Sequence, residues 1–570
     1  MKYCYLTLVT VLLLGVTACG RDRAVPTMSP ATPTPAPATA TPPTVVQSIS
    51  LIDQDLLQSS GTVLECDSAE GVAFTCTTED EHPHLAVTID GGSYARWRLR
   101  VPAVTTALTG DETLLLQLRR TGSVAPNLYL VEQGGRRIWV SLARYGLIEG
   151  EHQLAIPLRE LRDEEGQWLD FAAIDEVQIV FEWAEMAGAL DLLHLEFAST
   201  WAETVTISAD AEALAAALTV PDNFQATAIA DNLRAATQLA FDNDGTLWAS
   251  MQNGRIWRYT DGDGDGRYEE RLLYATGFEE VVGLLPDPVD GAVWIGGRGR
   301  LYRTIDQDGN GVADGRELRL DGLPWGRHQN NGLAWNPDPD PFTGEAGNHW
   351  IYFGLGSTDD LEVGGEWNAQ VLRFPRTGQG QQDLERVSTG NRNPYMVTWS
   401  PVPVDLAAPD GPTAWQLFAS ENGPDFNDAP DEVNHIRWQH DYGFPVQFGP
   451  VAEDAVDGEP YSGPVYPVTA HASASGLAYV TNPAWPAAYR TLYVSLFGQV
   501  FSEEIVGHTV ERVALTTEET ATGQTYRGEP STFIAGLDRP LPMTTAPNGD
   551  LVVGDYATGV VYQIRYRGSE

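Results

Sequence analysis

From about Val46 to Ser199 apolar and polar positions alternate in short runs, such as Thr113-Leu114-Leu115-Leu116-Gln117-Leu118 and Val177-Gln178-Ile179-Val180-Phe181-Glu182-Trp183. Turn signals at Asp90-Gly91-Gly92 and Gln133-Gly134-Gly135 punctuate them. A period of two sends one side chain inward and the next outward, and many short strands at this spacing predict an antiparallel, jelly-roll-like β-sandwich over residues 46–200. Trp97, Tyr129 and Trp139 are candidates for a sugar-stacking face, with core or sheet positions as the alternative.

A longer repeat begins near Ile207. Leu239-Ala240-Phe241, Asp244-Gly245, Leu247-Trp248-Ala249 and Ile256-Trp257-Arg258 form its first copy. The pattern returns at Val282-Gly283-Leu284, Gly332-Leu333-Ala334-Trp335, Met396-Val397-Thr398-Trp399, Gly476-Leu477-Ala478-Tyr479 and Met543-Thr544-Thr545. Each copy is one small antiparallel sheet that cannot bury its faces alone. Six copies predict an all-β fold, a six-bladed β-propeller over residues 205–570, preceded by the sandwich. Phe224-Gln225-Ala226-Thr227, ahead of the first copy, is the candidate strand that closes the ring and removes its exposed edge.

The N-terminus changes the picture of where this fold works. An apolar run too short to span a bilayer as a permanent helix leads to Val16-Thr17-Ala18-Cys19. This resembles the lipobox of bacterial lipoproteins, which implies a signal peptide at 1–18 and lipidation of Cys19. The Pro/Thr/Ala-rich stretch that completes 19–45 cannot bury apolar surface and reads as an extended stalk. The implied location is the extracytoplasmic side of a membrane, at the cell surface or in the periplasm, with membrane contact only through the anchor.

Composition removes several function classes. A formal charge of −43 argues against binding nucleic acid. The one lysine is Lys2, so Schiff-base and P-loop lysine chemistry are excluded, and any fixed cation in a site must be arginine. Cys66 and Cys76, ten apart in an exported chain, predict a disulfide.

The first strand of a propeller blade borders the central channel, so the loops leading into those strands line one mouth. Four of them carry unusual polar residues: Arg327-His328-Gln329-Asn330-Asn331, Asn391-Arg392-Asn393-Pro394-Tyr395, His471-Ala472-Ser473-Ala474-Ser475 and Asp538-Arg539-Pro540. A histidine, arginines and amides converging on one cavity form the default site. His328 is the candidate general base, since an unperturbed imidazole titrates near neutral pH.

His328-Gln329-Asn330-Asn331-Gly332, then Asn391-Arg392-Asn393-Pro394-Tyr395, then Glu421-Asn422-Gly423-Pro424-Asp425 and Asp441-Tyr442-Gly443-Phe444-Pro445 resemble the soluble pyrroloquinoline quinone (PQQ)-dependent glucose/sorbosone dehydrogenases. The likeness runs from Phe224 to Gly568. It implies His328 as base toward a sugar or polyol hydroxyl. Arg392 would act with it in catalysis, and Gln329, Asn393, His471 and Arg539 would contact the cofactor. The carbonyls of Gly423 and Pro424 would hold a Ca²⁺ that polarises the quinone. The chain departs from the family at the carboxylate clamp: Leu541 and Phe497-Gly498 stand where cations are expected, and Glu279-Glu280 precede Gly283 in place of a glutamine. By pattern, the sandwich is similar to accessory modules of secreted carbohydrate-active enzymes, implying glycan contact.

Two further stretches, Asp261/Asp263/Asp265 with Gly266 and Asp306/Asp308/Asn310 with Gly311, Asp314 and Glu317, have the alternating oxygens of calcium loops. They read as structural Ca²⁺ clips on blade-connecting turns, with Glu317 at the bidentate position; plain acidic Asp-Gly turns are the alternative. The leading reading is a surface-anchored, PQQ/Ca²⁺-dependent oxidoreductase acting on a sugar or polyol. The rivals are a non-catalytic propeller that binds glycans or other extracellular ligands and, more weakly, a hydrolase.

Overall fold

The structure is a computed structural model that describes residues 48–50, 64–79, 82–89, 93–101, 108, 112–145, 147, 150–158, 161, 169–198, 202–307, 309–347, 349–425, 428–450, 461–499, 504–520 and 523–568. The stretches expected to be signal peptide and stalk, with Cys19, lie outside the described residues, as does Asp308. No described helix is long and apolar enough to cross a membrane.

The first part is an antiparallel sandwich. One sheet runs in the order Ala73–Glu79, His82–Ile89, Met186–Ala198, Thr113–Gly122, Gly150–Pro157, with Ser48–Ser50 on Met186–Ala198. The other runs Leu64–Ser68, Tyr94–Arg100, Ile174–Glu182, Asn127–Glu132, Arg137–Ser141. Alternation works as the period of two demands: along Tyr94–Arg100 the side chains of Ala95, Trp97 and Leu99 are buried between the sheets. Trp97 is therefore core and not part of a sugar face, whereas Trp139 is half exposed and stacks on Tyr129. Cys66 and Cys76 form a disulfide that ties Leu64–Ser68 of one sheet to Ala73–Glu79 of the other.

The second part is a closed ring of six sheets. Their inner strands are Ala236–Phe241, Val281–Pro286, Asn330–Trp335, Pro394–Pro403, Ala474–Tyr479 and Pro540–Thr545, taken here as blades 1 to 6. Phe224–Ala230 pairs antiparallel with Val561–Tyr566, so the chain's early strand completes blade 6 and leaves no open edge. Inner strands crowd the axis. A Cβ on Gly476 would lie 2.3 Å from the Leu541 carbonyl oxygen, which only glycine avoids.

Between the two parts is the one described α-helix, α1 (Ala209–Ala217), which the strand pattern does not predict. Ser208 caps it, its Oγ accepting from the Ala211 amide at 3.1 Å. Ala211 and Ala215, four apart, face the cluster around the closing strand. Ala202–Thr204 adds to the outer edge of blade 1. Leu115 and Ala198, on the sandwich's larger sheet, pack with Ile229, Ala230, Tyr259 and Leu273 of the propeller.

The two acidic stretches join the third and fourth strands within blades 1 and 2, and do not connect one blade to the next as the sequence suggests. In both, the first aspartate organises a turn: Asp261 accepts from the amides of Gly264, Asp265 and Gly266, and Asp306 from Gly309, Asn310 and Gly311. Asn310 and Asp314 likewise accept from the amides of Val312 and Gln307. Carboxylate oxygens of Asp261, Asp263, Asp265 and Glu269 come within 4.8 Å of one another. Glu269 is the ninth residue of that loop, a ligand position in calcium loops that the sequence reading passed over. Glu317 is turned from the second loop to two arginines, Arg319 on its own strand at 3.2 Å and Arg303 opposite it on the neighbouring strand at 3.8 Å. If the first loop takes Ca²⁺, 1 mM Ca²⁺ should raise the melting temperature by about 2–5 °C. Asp261→Ala should remove that gain, which differential scanning calorimetry with and without chelator measures.

Candidate active site at the propeller mouth

The entries of all six inner strands meet in a cavity of about 360 Å³, lined by Glu280, Arg327 and His328 from the loops before blades 2 and 3 and by Thr237, Tyr395, Ser475 and Leu541 from the starts of the other inner strands, with Asn422, Phe497 and Tyr556 coming from the ends of second strands. His328 is set just before the inner strand of blade 3, where Gly326 to Gln329 turn back on themselves: the Gly326 amide donates to the His328 carbonyl at 2.9 Å. Its Nδ1 is 2.9 Å from the Ser357 carbonyl oxygen and 3.1 Å from Ser357 Oγ. The carbonyl can only accept, so Nδ1 carries the proton and Nε2 is the basic nitrogen. Nε2 has no hydrogen-bond partner among the described residues and is not sealed off from the cavity. Burial, and then the nearby Arg392, push the imidazole down to about 3, with Arg327 adding to this; it is neutral across the physiological range.

Gly356 supports this placement. A Cβ there would sit 2.4 Å from His328 Cβ and 2.8 Å from Asn393 Oδ1, so the second strand of blade 3 must end in glycine for these side chains to converge. Asn393 Oδ1 accepts from Asn331 Nδ2 at 2.9 Å, which fixes the amide behind the histidine.

Arg392 is not where the family resemblance puts it. Its side chain is 1% exposed and does not line the mouth. Nη2 binds Asp360 Oδ1 at 2.5 Å, Nε donates to the Asp360 carbonyl and Nη1 to that of Asn422, so the guanidinium is committed to the protein. Arg327 does line the mouth but is ion-paired with Asp425 and lies 3.8 Å from Asp360. Gln329 lines the mouth with both ends engaged: Oε1 accepts from the Arg298 amide at 2.7 Å and Nε2 donates to the Glu280 carbonyl at 2.8 Å. His471 stands outside the lining, 3.9 Å from Asp428. Arg539 also stands outside it, over the Phe497 ring and donating to the Gln499 carbonyl.

Gly423 and Pro424 follow directly on the lining residue Asn422, though neither lines the mouth. The Gly423 amide donates to Asp431 Oδ1 at 2.7 Å, and Asp431 also accepts from the Ser473 amide. Burial pushes Asp431 up to about 6 despite these bonds. Glu421, which accepts from the Arg392 amide and from Asn391, is raised by burial and by its neighbour Glu432. Sequence reading gave no role to Ser357, Asp360 and Asp425, which orient the histidine and arginines; the signal for the first two is the Gly356-Ser357-Thr358-Asp359-Asp360 run closing a predicted strand, and for Asp425 its place at the end of the Glu421–Asp425 motif.

The described residues do not fit PQQ. Its three carboxylates need cations, and Arg327, the one arginine in the lining, already has an acidic partner. Glu280 adds a carboxylate to the wall, held by Arg298 at 3.0 Å, and Phe497 and Leu541 make it apolar where the clamp is expected. Tyr395, Phe497 and Tyr556 bring aromatic rings to the lining, the last two in edge contact at 5.6 Å.

No curated protein matches the chain. Among solved structures, it is similar to the holo PQQ domain of pyranose dehydrogenase from Coprinopsis cinerea, at 13% identity over 61% of this chain and 97% of that one, with a TM-score of 0.48. The calcium structure of a Trichoderma reesei carbohydrate-active enzyme of Family AA12 is similar at 14% identity over 61% and 97%, with a TM-score of 0.48. A family 11 carbohydrate-binding module of Clostridium thermocellum is similar at 13% identity over 27% and 95%, with a TM-score of 0.22. Shared architecture at this distance says nothing of a shared reaction. A family model matches residues 210–566, and the chain belongs to that family, described as Domain of unknown function (DUF7133).

Proposed function

We propose that the chain is an extracytoplasmic oxidoreductase, held at a membrane by a lipid on Cys19, that oxidises a hydroxyl of a sugar or polyol at the His328 mouth. The observation that carries this reading is the fixed tautomer: Ser357 holds the proton on Nδ1 and leaves Nε2 as a neutral acceptor beside the cavity. A substrate hydroxyl presented there is placed to give its proton to Nε2, and oxidation of its carbon requires a separate two-electron acceptor to take the hydride. Thr237 and Ser475 in the same wall offer hydroxyls to a polyhydroxylated ligand. PQQ with Ca²⁺, bound through the Gly423 and Pro424 carbonyls, is the acceptor implied by the sequence resemblance. The cations that would clamp its carboxylates are missing, with Leu541 and Phe497-Gly498 in their places.

That same missing clamp favours a second reading, a propeller that binds glycans without turnover. The experiment that separates them starts from metal-stripped protein. It is given Ca²⁺, titrated with PQQ by calorimetry and assayed for dye reduction with a panel of aldoses and polyols. Saturable PQQ binding with turnover supports the oxidoreductase. Binding of sugars without any PQQ uptake or dye reduction moves the chain to the recognition class.

A further inference from the structure

Among the described residues, the sandwich has one outer face packed on the propeller and the other open. Leu115 and Ala198 turn the larger sheet toward the propeller. The outer face of the five-stranded sheet carries what remains exposed. In register across it, Trp139 stands opposite Tyr129, Tyr129 opposite Gln178, and Gln178 opposite Arg98. Alternation puts Tyr94, Arg96, Arg98 and Arg100 on this same side, since Ala95, Trp97 and Leu99 point into the core.

Three aromatic rings are left in water here: Tyr94 is 41%, Trp139 49% and Trp183 74% exposed. Tyr129 links two of them, stacking on Trp139 at 6.3 Å with the Trp183 side chain close to its hydroxyl. Trp183 has φ 71°, a left-handed conformation that a bulky side chain rarely adopts. A backbone strained to hold an indole in solvent points to a ligand.

The charges of the face say which ligand. Arg96 chelates Asp67 at 3.0 and 2.6 Å, Arg98 meets Glu65 at 3.1 Å, and Arg100 meets Glu176 at 3.3 Å. Arg137 lies over Tyr129, whose hydroxyl donates to Glu182. Four arginines thus face four carboxylates, a locally neutral lattice on a chain of net charge −43. An anionic polymer gains little from a face whose arginines, Arg137 apart, are already paired with carboxylates, and it is repelled by the whole. A neutral one finds aromatic faces for its rings and a dense set of donors and acceptors for its hydroxyls.

We infer that this face, centred on Trp139, Tyr129 and Trp183, binds a neutral polysaccharide chain. The inference does not depend on what the propeller mouth does.

The test is native affinity electrophoresis of the full chain in gels containing hydroxyethyl cellulose, soluble starch, mixed-linkage β-glucan or polygalacturonate. At least one neutral polymer should retard the protein, with retardation insensitive to salt, and polygalacturonate should not. Trp139→Ala and Trp183→Ala, both at exposed positions outside the core, should each weaken the apparent affinity about tenfold. His328→Ala should leave it unchanged. The inference is overturned if no neutral polymer retards the protein, if both tryptophan variants bind as the parent does, or if the His328 variant alone loses binding.

Discussion

His328→Ala should lower sugar- or polyol-dependent dye reduction by about 10²–10⁴-fold while leaving the melting profile intact. The size follows from removing a positioned proton acceptor, and the intact fold from what the side chain touches. Its ring hydrogen-bonds the protein only at Nδ1, on Ser357, in a loop that is also held by the Gly326–His328 and Arg327–Thr358 backbone bonds. The pH profile makes a sharper test. A base must be unprotonated to act, and burial with Arg392 alongside sets this imidazole near about 3. The acid limb of kcat/KM therefore belongs near pH 3, and a limb near the ordinary histidine value would refute the assignment. Stability has the same sign. The folded pKa lies below the unfolded one, so the contribution of this group is complete above about 6.5 and is lost as pH falls toward about 3. Full turnover retained in His328→Ala would sink the role given to it.

The sequence shows the ring and its mouth because both rest on local pattern. Inner strands such as Gly332-Leu333-Ala334-Trp335 announce themselves by period and by the polar loop before them, and Phe224 to Thr227 by lying ahead of the first repeat. What stays hidden depends on pairing across the fold. Whether Arg392 meets a ligand or an aspartate is decided by Asp360, thirty-two residues away and on another blade. Glu317 sits at the right spacing for a calcium loop, yet its strand register turns it to Arg319. Trp97 and Trp139 look alike in sequence, and the phase of a period-two pattern sends one into the core and the other into water.

Arg392→Met should cost about 3–5 kcal/mol of stability, the largest effect expected of any single substitution at the mouth. What is left behind sets the size of the loss. Asp360 is 5% exposed, and its Oδ2 has no hydrogen-bond partner even with the arginine present. Its Oδ1 accepts from Arg392 Nη2 and from the Asp425 amide. Removing the guanidinium strands a buried carboxylate whose nearest remaining cation, Arg327, is 3.8 Å away and already paired with Asp425. Two buried carbonyls, of Asp360 and Asn422, lose their donors as well. Asp360→Asn in the same chain should restore much of the loss, because the charge that needed compensation is gone; a double-mutant cycle in urea measures the coupling. A catalytic arginine behaves differently, its removal raising KM or lowering kcat with little change in unfolding. An Arg392→Met protein as stable as the parent but impaired in ligand binding would return this residue to the cavity wall and overturn its assignment as the buried strut behind His328.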